Sequence, residues 1–434
     1  MKKIRSRASS VLIIALLVIA GLCVFILQEY NEGKDWALYF SAFNSGSEGT
    51  IYDRNGVELA HFNGSRNTFA SNEATRIANY HVTGDYWGRT GTGVLSRYWK
   101  SSQDYSFYYG TTDSSVSLLN LTVDSKLNTK AYELLRGNGK GAVMISNYKT
   151  GEILCMVSSP SVDPVDNDSE PEDGAYINRC ISAAFTPGST FKLVTSAAAL
   201  ENYPNLDSWS FCCTGECEIA GVKIKCTTAH GTENFEQALA NSCNCAFANL
   251  TVDLGQDIMV RYVTDYGFLD GHNINDIPTV KGNYPTEFVG DPELAWSGIG
   301  QSTDQVCPFS MLRYVSAIAC GGTFPEPTLV LSDGEPQYTN LMNQQTAVKM
   351  QKLMRNNVVT HYEGEVNFPG LELCAKTGTA ETGNAASHSW FTGFLQDSEH
   401  PYAFVAIVEN GGYGLWTAGI MMNEILQYAV GNDQ

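Results

Sequence analysis

Residues 187–192 read Pro-Gly-Ser-Thr-Phe-Lys and stand directly before an apolar, alanine-rich run at 193–200. Proline and glycine interrupt the preceding chain, and Ser189 then opens a segment that continues through this run and has the composition of a buried helix. Residues three positions apart share one face of a helix. We therefore expect Lys192 to lie one turn away from the Ser189 hydroxyl.

This serine–lysine pair has the chemistry that covalent catalysis needs. A serine hydroxyl is a weak nucleophile until a neighbouring base takes its proton. Lys192 can be that base if its pKa is lowered, and both burial and the positive end of a helix lower it. One S-x-x-K motif is expected by chance in a chain of this length, so this motif alone does not identify a catalytic site, and further motifs are needed.

Two further motifs follow in the chain. Ser242-Cys243-Asn244 lies between helix-like segments, which predicts a turn at the edge of a cleft. Lys376-Thr377-Gly378-Thr379 ends a β-like segment that begins at Leu373. Each motif alone fits an ordinary turn or strand end, and only the three together, in this order, are specific.

In this order the three motifs resemble the S-x-x-K, S-x-N and K-T-G elements of penicillin-binding proteins and serine β-lactamases. The segment Gly49 to Gly56, which reads GTIYDRNG, resembles the opening signature of class B penicillin-binding proteins, with Glu48 where that signature has arginine. The resemblance covers 116–434 well and 28–115 weakly. It implies a peptidoglycan D,D-transpeptidase that cross-links stem peptides ending in D-Ala-D-Ala and is acylated by β-lactams.

The resemblance also implies the catalytic residues. Ser189 would be the acylated nucleophile and Lys192 its general base. Ser242 would relay a proton toward the leaving amine, and Lys376 would supply positive charge.

The substrate-binding residues follow by the same resemblance. Asn244 would orient the substrate amide, and Thr377 would offer a hydroxyl to the terminal carboxylate. Gly378 would give the substrate room along the strand. The backbone N–H groups of Ser189 and Thr379 would form the oxyanion hole.

The order of predicted elements indicates the fold class. A hairpin is expected at 141–158 and three strands near the C-terminal end, with helices between them and a closing helix at 416–430. This order excludes a parallel doubly wound sheet and predicts an α+β fold in which helices flank an antiparallel sheet. We expect a cytoplasmic tail at 1–10, a transmembrane anchor at 11–28, a small N-terminal pedestal at 29–115 and a transpeptidase domain at 116–434.

The N-terminal segment predicts the location. Val11 to Leu27 is an uncharged apolar run preceded by four basic residues, and such flanking charge places the N-terminus in the cytoplasm. We expect a single-pass membrane protein with its catalytic domain outside, because no small-x-small cleavage site follows the run. The net charge of −19 argues against nucleic-acid binding.

Twelve cysteines are present, and eleven of them would lie outside the membrane. Cys212, Cys213, Cys217 and Cys226, with His230, resemble a zinc-ligand spacing. A disulfide from Cys226 to Cys212 or Cys213 is the favoured alternative outside the membrane. Cys243 and Cys245 are expected to pack as small apolar residues.

Other functions compete with transpeptidation. A serine β-lactamase would need a water-activating base, and no E-x-x-x-N of the class A type occurs between Asn244 and Tyr362. A D,D-carboxypeptidase and a non-catalytic β-lactam sensor are further alternatives, and the segment before 116 is short for a glycosyltransferase. The serine–lysine mechanism requires no metal or organic cofactor. A membrane polymerase of the SEDS type is expected as a partner from the resemblance.

Overall fold

The computed structural model describes residues 2–44, 48–63, 66–85, 88–96, 104–106, 110–112, 117–166, 168–203, 205–332, 334–383 and 385–432. The expected pedestal, 29–115, therefore lies partly outside the described residues.

The first strands after the N-terminal helix belong to a small four-stranded sheet. In spatial order β3-β2-β1-β6, its strands are Arg66–Phe69, Glu58–Asn63, Glu48–Tyr52 and Ser117–Asn120. The turn predicted at Asp53 to Gly56 joins β1 to β2, and the Asp53 N–H donates to the Val57 carbonyl at 2.9 Å. Because β6 pairs in parallel with β1, this sheet extends past residue 115, where we expect the domain boundary.

Five antiparallel strands form the central sheet. Their spatial order is β17-β18-β19-β7-β8, with bounds Leu373–Ala380, His388–Leu395, Tyr402–Val408, Gly141–Asn147 and Ile153–Ser159. The hairpin β7–β8 and the three C-terminal strands match the sequence prediction. All four neighbouring pairs are antiparallel, so the predicted α+β fold class is confirmed.

Helices cover both faces of this sheet, which explains why its strands are almost uniformly apolar. Alternate residues enter two separate cores. Trp390 and Val405 pack in one core with Leu193, whereas Phe391 and Phe404 pack in the other. The first core holds the helices that carry the motifs, and the second lies under the closing helix.

The helices are bounded as follows: α1 Lys2–Asn44, α2 Glu73–Thr83, α3 Ser125–Asn138, α4 Lys192–Asn202, α5 Phe235–Ala240, α6 Asn244–Leu254, α7 Gln256–Asp265, α8 Asp291–Gly298, α9 Pro308–Ala319, α10 Gln344–His361, α11 Gly364–Asn367 and α12 Ile420–Asn432. The predicted cap of α3 is present: the Asp124 carboxylate accepts from the backbone N–H groups of Lys126 and Leu127. A π-helical turn, Leu415–Gly419, precedes α12.

Short strands complete the described structure. Their bounds are β4 Asp104–Ser106, β5 Gly110–Thr112, β9 Ser210–Cys213, β10 Glu216–Ile219, β11 Val222–Lys225, β12 Gly231–Asn234, β13 Asn273–Ile274, β14 Ile277–Pro278, β15 Thr323–Pro325 and β16 Tyr338–Asn340. They form two-stranded sheets, of which β9–β12 and β10–β11 lie between α4 and α5.

The N-terminal helix is suited to a membrane. Within α1, Val11–Asn31 has a mean hydropathy of 3.0 and no buried residue. The span is three residues longer than the predicted anchor at 11–28, and 21 residues are enough to cross a bilayer. By length and composition it is a candidate single-pass anchor.

Candidate active site

The Ser189 segment folds as a short 3-10 turn, Gly188–Phe191, and α4 begins only at Lys192. The sequence predicted one continuous helix from Ser189. The turn begins with Gly188 at φ 53°, and the Thr190 hydroxyl donates to the Pro187 carbonyl at 2.7 Å. Ser189 and Lys192 still share one face, because a 3-10 turn brings residues three apart into register. Their Oγ and Nζ atoms are 3.2 Å apart.

The loop that contains Gly300 packs against this turn. The Gly188 N–H donates to the Gly300 carbonyl at 2.8 Å. A Cβ at Gly300 would lie 2.1 Å from the Gly188 oxygen, and its φ of 74° also favours glycine. Gly300 therefore allows the contact that positions the nucleophile turn.

The Ser242 turn lies on the other side of Lys192. The Lys192 Nζ is 2.6 Å from the Ser242 carbonyl oxygen, 3.2 Å from the Ser242 Oγ and 2.7 Å from the Asn244 Oδ1. Ser242 has a φ of 54°, which a residue with a side chain seldom adopts. The Asn244 amide is fixed from behind, because its Nδ2 donates to the Lys225 carbonyl at 2.9 Å.

Strand β17 brings in the third motif. The Lys376 Nζ donates to the Ser242 Oγ at 2.9 Å and to the Thr377 carbonyl at 3.0 Å. A Cβ on Gly378 would lie 2.8 Å from the Pro187 oxygen, so the glycine lets β17 approach the nucleophile turn. This packing requirement is additional to the substrate-binding role predicted for Gly378.

Two contacting residues had no clear signal in the sequence. The Tyr362 hydroxyl, at the end of α10, accepts from the Thr377 N–H at 3.1 Å and lies 3.2 Å from the Thr377 Oγ1. The Trp390 indole N–H, on β18, donates to the Thr186 carbonyl at 2.9 Å. Both positions are defined by tertiary contacts, which no local sequence pattern specifies.

Burial dominates the electrostatics of the two lysines. Lys192 and Lys376 are both fully buried. Desolvation lowers the pKa of Lys192 to about 8. Desolvation also places the pKa of Lys376 well below its usual value, and the charge of Lys192 lowers it further. Both amines contact the Ser242 hydroxyl, so two positive charges at this point would repel each other, which favours a neutral amine on one of the two lysines.

Residues of all three motifs line one cleft of about 420 Å³. Ser189, Ser242, Asn244, Thr377 and Thr379 all form its wall. The structure thus brings the three sequence motifs together at one surface, with the two lysines buried behind it. Their catalytic and binding roles remain predictions.

A cysteine cluster lies beside the cleft, but its members differ from the predicted set. Cys213, Cys226, His230 and Cys243 place one ligand atom each within 4.8 Å of one another. Cys212 and Cys217 are not in this group. Alternation along β9 turns Cys212 to the face opposite its neighbour Cys213, and the Cys217 sulfur on β10 instead lies 4.0 Å from the Cys245 carbonyl oxygen. Cys243 and Cys245 are fully buried as predicted, but Cys243 also contributes its sulfur. All twelve cysteines lie in the described ranges and are free thiols, so the predicted Cys226 bridge is absent.

The fold and the cleft define a penicillin-binding transpeptidase domain. The sequence profile of the family described as "Penicillin binding protein transpeptidase domain" matches residues 141–427. The chain belongs to this family, and the resemblance found in the sequence is confirmed.

Among similar proteins is Stage V sporulation protein D of Bacillus subtilis (strain 168), which is 31% identical over 285 residues. That match covers 61% of this chain and 44% of the relative. Peptidoglycan D,D-transpeptidase PbpA of Mycobacterium tuberculosis (strain CDC 1551 / Oshkosh) is 27% identical over 339 residues, covering 69% of this chain and 68% of PbpA. The chain thus spans less than half of the first relative's length.

Solved structures share the fold. The D,D-transpeptidase domain of a peptidoglycan glycosyltransferase from Eggerthella lenta has a TM-score of 0.75 at 24% identity, covering 90% of this chain and 99% of that chain. The penicillin G acyl-enzyme complex of penicillin-binding protein A from M. tuberculosis has a TM-score of 0.73 at 22% identity, covering 89% and 100%.

Proposed function

We propose that this protein is a serine-type peptidoglycan D,D-transpeptidase that works through an acyl-enzyme at Ser189 and is inhibited covalently by β-lactams. The observation that carries the proposal is the environment of the Lys192 Nζ. A neutral amine has two N–H donors, and the Ser242 carbonyl and the Asn244 Oδ1 accept both at 2.6 and 2.7 Å. Its lone pair is then available to the Ser189 hydroxyl at 3.2 Å.

Acylation follows from this arrangement. Lys192 takes the Ser189 proton as Oγ attacks the carbonyl carbon of the penultimate D-alanine. The backbone N–H groups of Ser189 and Thr379 stabilise the oxyanion. The Ser242 hydroxyl lies 3.2 Å from Lys192 and 2.9 Å from Lys376, so it can pass a proton to the leaving D-alanine amine. The carbon–nitrogen bond breaks, and D-alanine leaves.

Substrate binding uses the wall of the same cleft and the positive charge buried behind it. The Asn244 amide orients the peptide backbone of the donor, while Lys376 and the Thr377 hydroxyl receive its terminal carboxylate. Gly378 keeps the strand close to the nucleophile. A bound carboxylate favours the charged form of Lys376, which offsets the desolvation that lowers the pKa of this lysine.

The second half-reaction determines whether the enzyme is a transferase or a hydrolase. Rapid hydrolysis needs a base that holds and activates a water molecule. Among the described residues that line the cleft, Glu381 is the one carboxylate, and it is exposed to solvent. An amine from a neighbouring stem peptide can be placed by its own strand and deprotonated by Lys192, where proximity supplies much of the rate. This difference favours transpeptidation over the β-lactamase and carboxypeptidase alternatives.

The location and orientation of the protein in the membrane are part of the same proposal. The basic residues before the candidate span Val11–Asn31 favour a cytoplasmic N-terminus, with the cleft outside the membrane. The same proposal divides the chain into four parts: a tail at 1–10, an anchor at 11–28, a pedestal at 29–115 and a transpeptidase domain at 116–434. The expected partners are peptidoglycan stem peptides and, from family resemblance, a SEDS-type membrane polymerase.

The test compares acceptors. Purified full-length protein in detergent is given a thioester or peptide donor that ends in D-alanine, with increasing concentrations of a D-amino acid as the acceptor amine. The proposal predicts that the transfer product and total turnover both rise with acceptor concentration, and that bound penicillin is released slowly. Rapid hydrolysis of penicillin, together with turnover that no acceptor changes, would assign the chain to the β-lactamases. Penicillin binding without any turnover of donors would instead indicate a sensor.

A further inference from the structure

Four side chains from different parts of the chain meet directly behind the Ser242 turn. Cys213 ends β9, Cys226 follows β11, His230 precedes β12 and Cys243 caps α6. Their ligand atoms all lie within 4.8 Å of one another, although up to thirty positions separate them in the sequence. Three sulfurs and one imidazole nitrogen are a common ligand set for structural zinc.

The distance between two of the sulfurs discriminates between a metal site and a disulfide. The Sγ atoms of Cys226 and Cys243 are 3.7 Å apart. A disulfide would require about 2.05 Å. A tetrahedral ion with zinc–sulfur bonds of about 2.3 Å has an S···S edge of about 3.8 Å. The observed separation therefore agrees with two ligands of one tetrahedral ion.

Backbone amides already point at these sulfurs. The Cys245 N–H donates to the Cys226 sulfur at 3.2 Å, and the Ala246 N–H donates to the Cys243 sulfur at 3.4 Å. Both donors belong to the first turn of α6, whose positive end favours thiolates. Such N–H···S contacts stabilise the negative charge that a metal-bound cysteine carries.

The histidine also has an unused polar atom. The His230 side chain is 7% exposed, and its Nδ1 lies 4.0 Å from the Glu233 Oε1. Neither atom has a hydrogen-bond partner among the described residues. The other Glu233 oxygen is held by the Asn241 amide at 2.9 Å. A fixed carboxylate beside a ligating imidazole is the usual outer partner in zinc sites.

We propose that Cys213, Cys226, His230 and Cys243 bind one zinc ion. Four protein ligands close a tetrahedral site and leave no position for water, so the ion has a structural function. It holds together a segment that has little core of its own, since the sheets β9–β12 and β10–β11 have two strands each and are largely exposed.

The site acts on the cleft through Cys243. This residue lies between Ser242, which has the unfavourable φ of 54°, and Asn244, which contacts Lys192. The loop from Cys226 to His230 also supplies Thr227 and Thr228 to the cleft wall. A metal that fixes both segments therefore positions the S-x-N motif, whichever reaction the cleft performs.

The test measures metal content in the full-length protein, purified in detergent without chelators. Elemental analysis should find about one zinc per chain in the wild type. Cys226→Ser should lower the zinc content at least about tenfold. Cys212→Ser is the matched control, because Cys212 is exposed, adjoins Cys213 in sequence and lies outside the cluster. It should retain the metal of the wild type.

Replacement of zinc by cobalt tests the ligand set in the unaltered chain, so the proposal does not depend on a variant that folds. Three thiolates predict strong sulfur-to-cobalt charge-transfer bands and the intense visible bands of a tetrahedral ion. Removal of the metal should also slow penicillin labelling. Wild-type protein without zinc and without these cobalt bands, or peptide mapping of a Cys226–Cys243 disulfide, would overturn the proposal. Metal content is measured without any enzymatic reaction. The zinc proposal can therefore fail while the transpeptidase proposal, tested by the acceptor experiment, holds, and the reverse is also true.

Discussion

At the residue scale, the function depends on how Lys192 is surrounded. The spacing of Ser189 and Lys192 predicts that they share a face, and the structure places their reactive atoms 3.2 Å apart. The local sequence does not predict that the Lys192 amine is buried, nor which two oxygens accept hydrogen bonds from it. Those oxygens come from the Ser242 turn, fifty positions further along the chain.

The pH dependence of acylation follows from this burial. Desolvation lowers the pKa of Lys192 to about 8, and only the neutral amine can take the Ser189 proton. We expect the penicillin acylation rate to rise about tenfold per pH unit below about pH 8 and to level off above it. Stopped-flow labelling between about pH 6 and pH 9 measures this, with thermal melting over the same range as the control. A flat profile in folded protein would show that Lys192 is not the base.

At the element scale, three segments that are distant in sequence must be held against one another. The antiparallel order of the hairpin and the last three strands is predictable from apolar runs and turn residues. The close approach of β17 to the nucleophile turn is not, because it depends on Gly378 and on the contacts of Tyr362 and Trp390. The helix boundary at Lys192 also differs from prediction, since a 3-10 turn and a first helical turn have the same sequence signals.

Gly300→Ala tests the contact beneath the nucleophile turn. Its Cβ would lie 2.1 Å from the Gly188 oxygen, whereas a Cβ at Gly370 meets nothing within 4 Å. The two glycines have similar φ values, 74° and 71°, so Gly370→Ala carries the same backbone strain without the clash. We expect Gly300→Ala to lose about 2 kcal/mol more unfolding free energy than Gly370→Ala, and to label more slowly. Equal losses in denaturant titrations would refute this account of the turn.

Lys376→Ala tests the function proposed for strand β17. Loss of the ammonium group removes the partner of the substrate carboxylate but leaves Ser189 and Lys192 in place. We expect about 10- to 100-fold slower acylation by a donor with a free carboxylate, in the range of a lost charged hydrogen bond. A donor with an amidated terminus should lose much less. Equal losses for the two donors would contradict carboxylate recognition.

At the scale of the whole molecule, one apolar helix precedes a globular domain with two cores. The anchor is predictable from hydropathy alone, and the structure extends its apolar span to Asn31. The distribution of the cysteines is less predictable, because spacing in the sequence suggested Cys212 and Cys217 as zinc ligands. Tertiary contacts exclude both and bring in Cys243.

Removal of the anchor should separate location from activity. We expect a chain that begins near Glu32 to remain in the soluble fraction and to bind penicillin, since Val11–Asn31 is the one candidate span found in the described residues. Fractionation without detergent, followed by penicillin labelling, measures both properties. Sedimentation of this shortened chain with membranes would reveal a second attachment.

The most direct test of the central claim is peptide mass mapping of full-length protein after incubation with fluorescent penicillin. We predict one covalent adduct, on Ser189. Ser189→Ala and Lys192→Arg should both lose it while retaining the circular dichroism of the wild type, because the first lacks the nucleophile and arginine keeps its proton. An adduct on any other residue, or undiminished labelling of Ser189→Ala, would contradict the account.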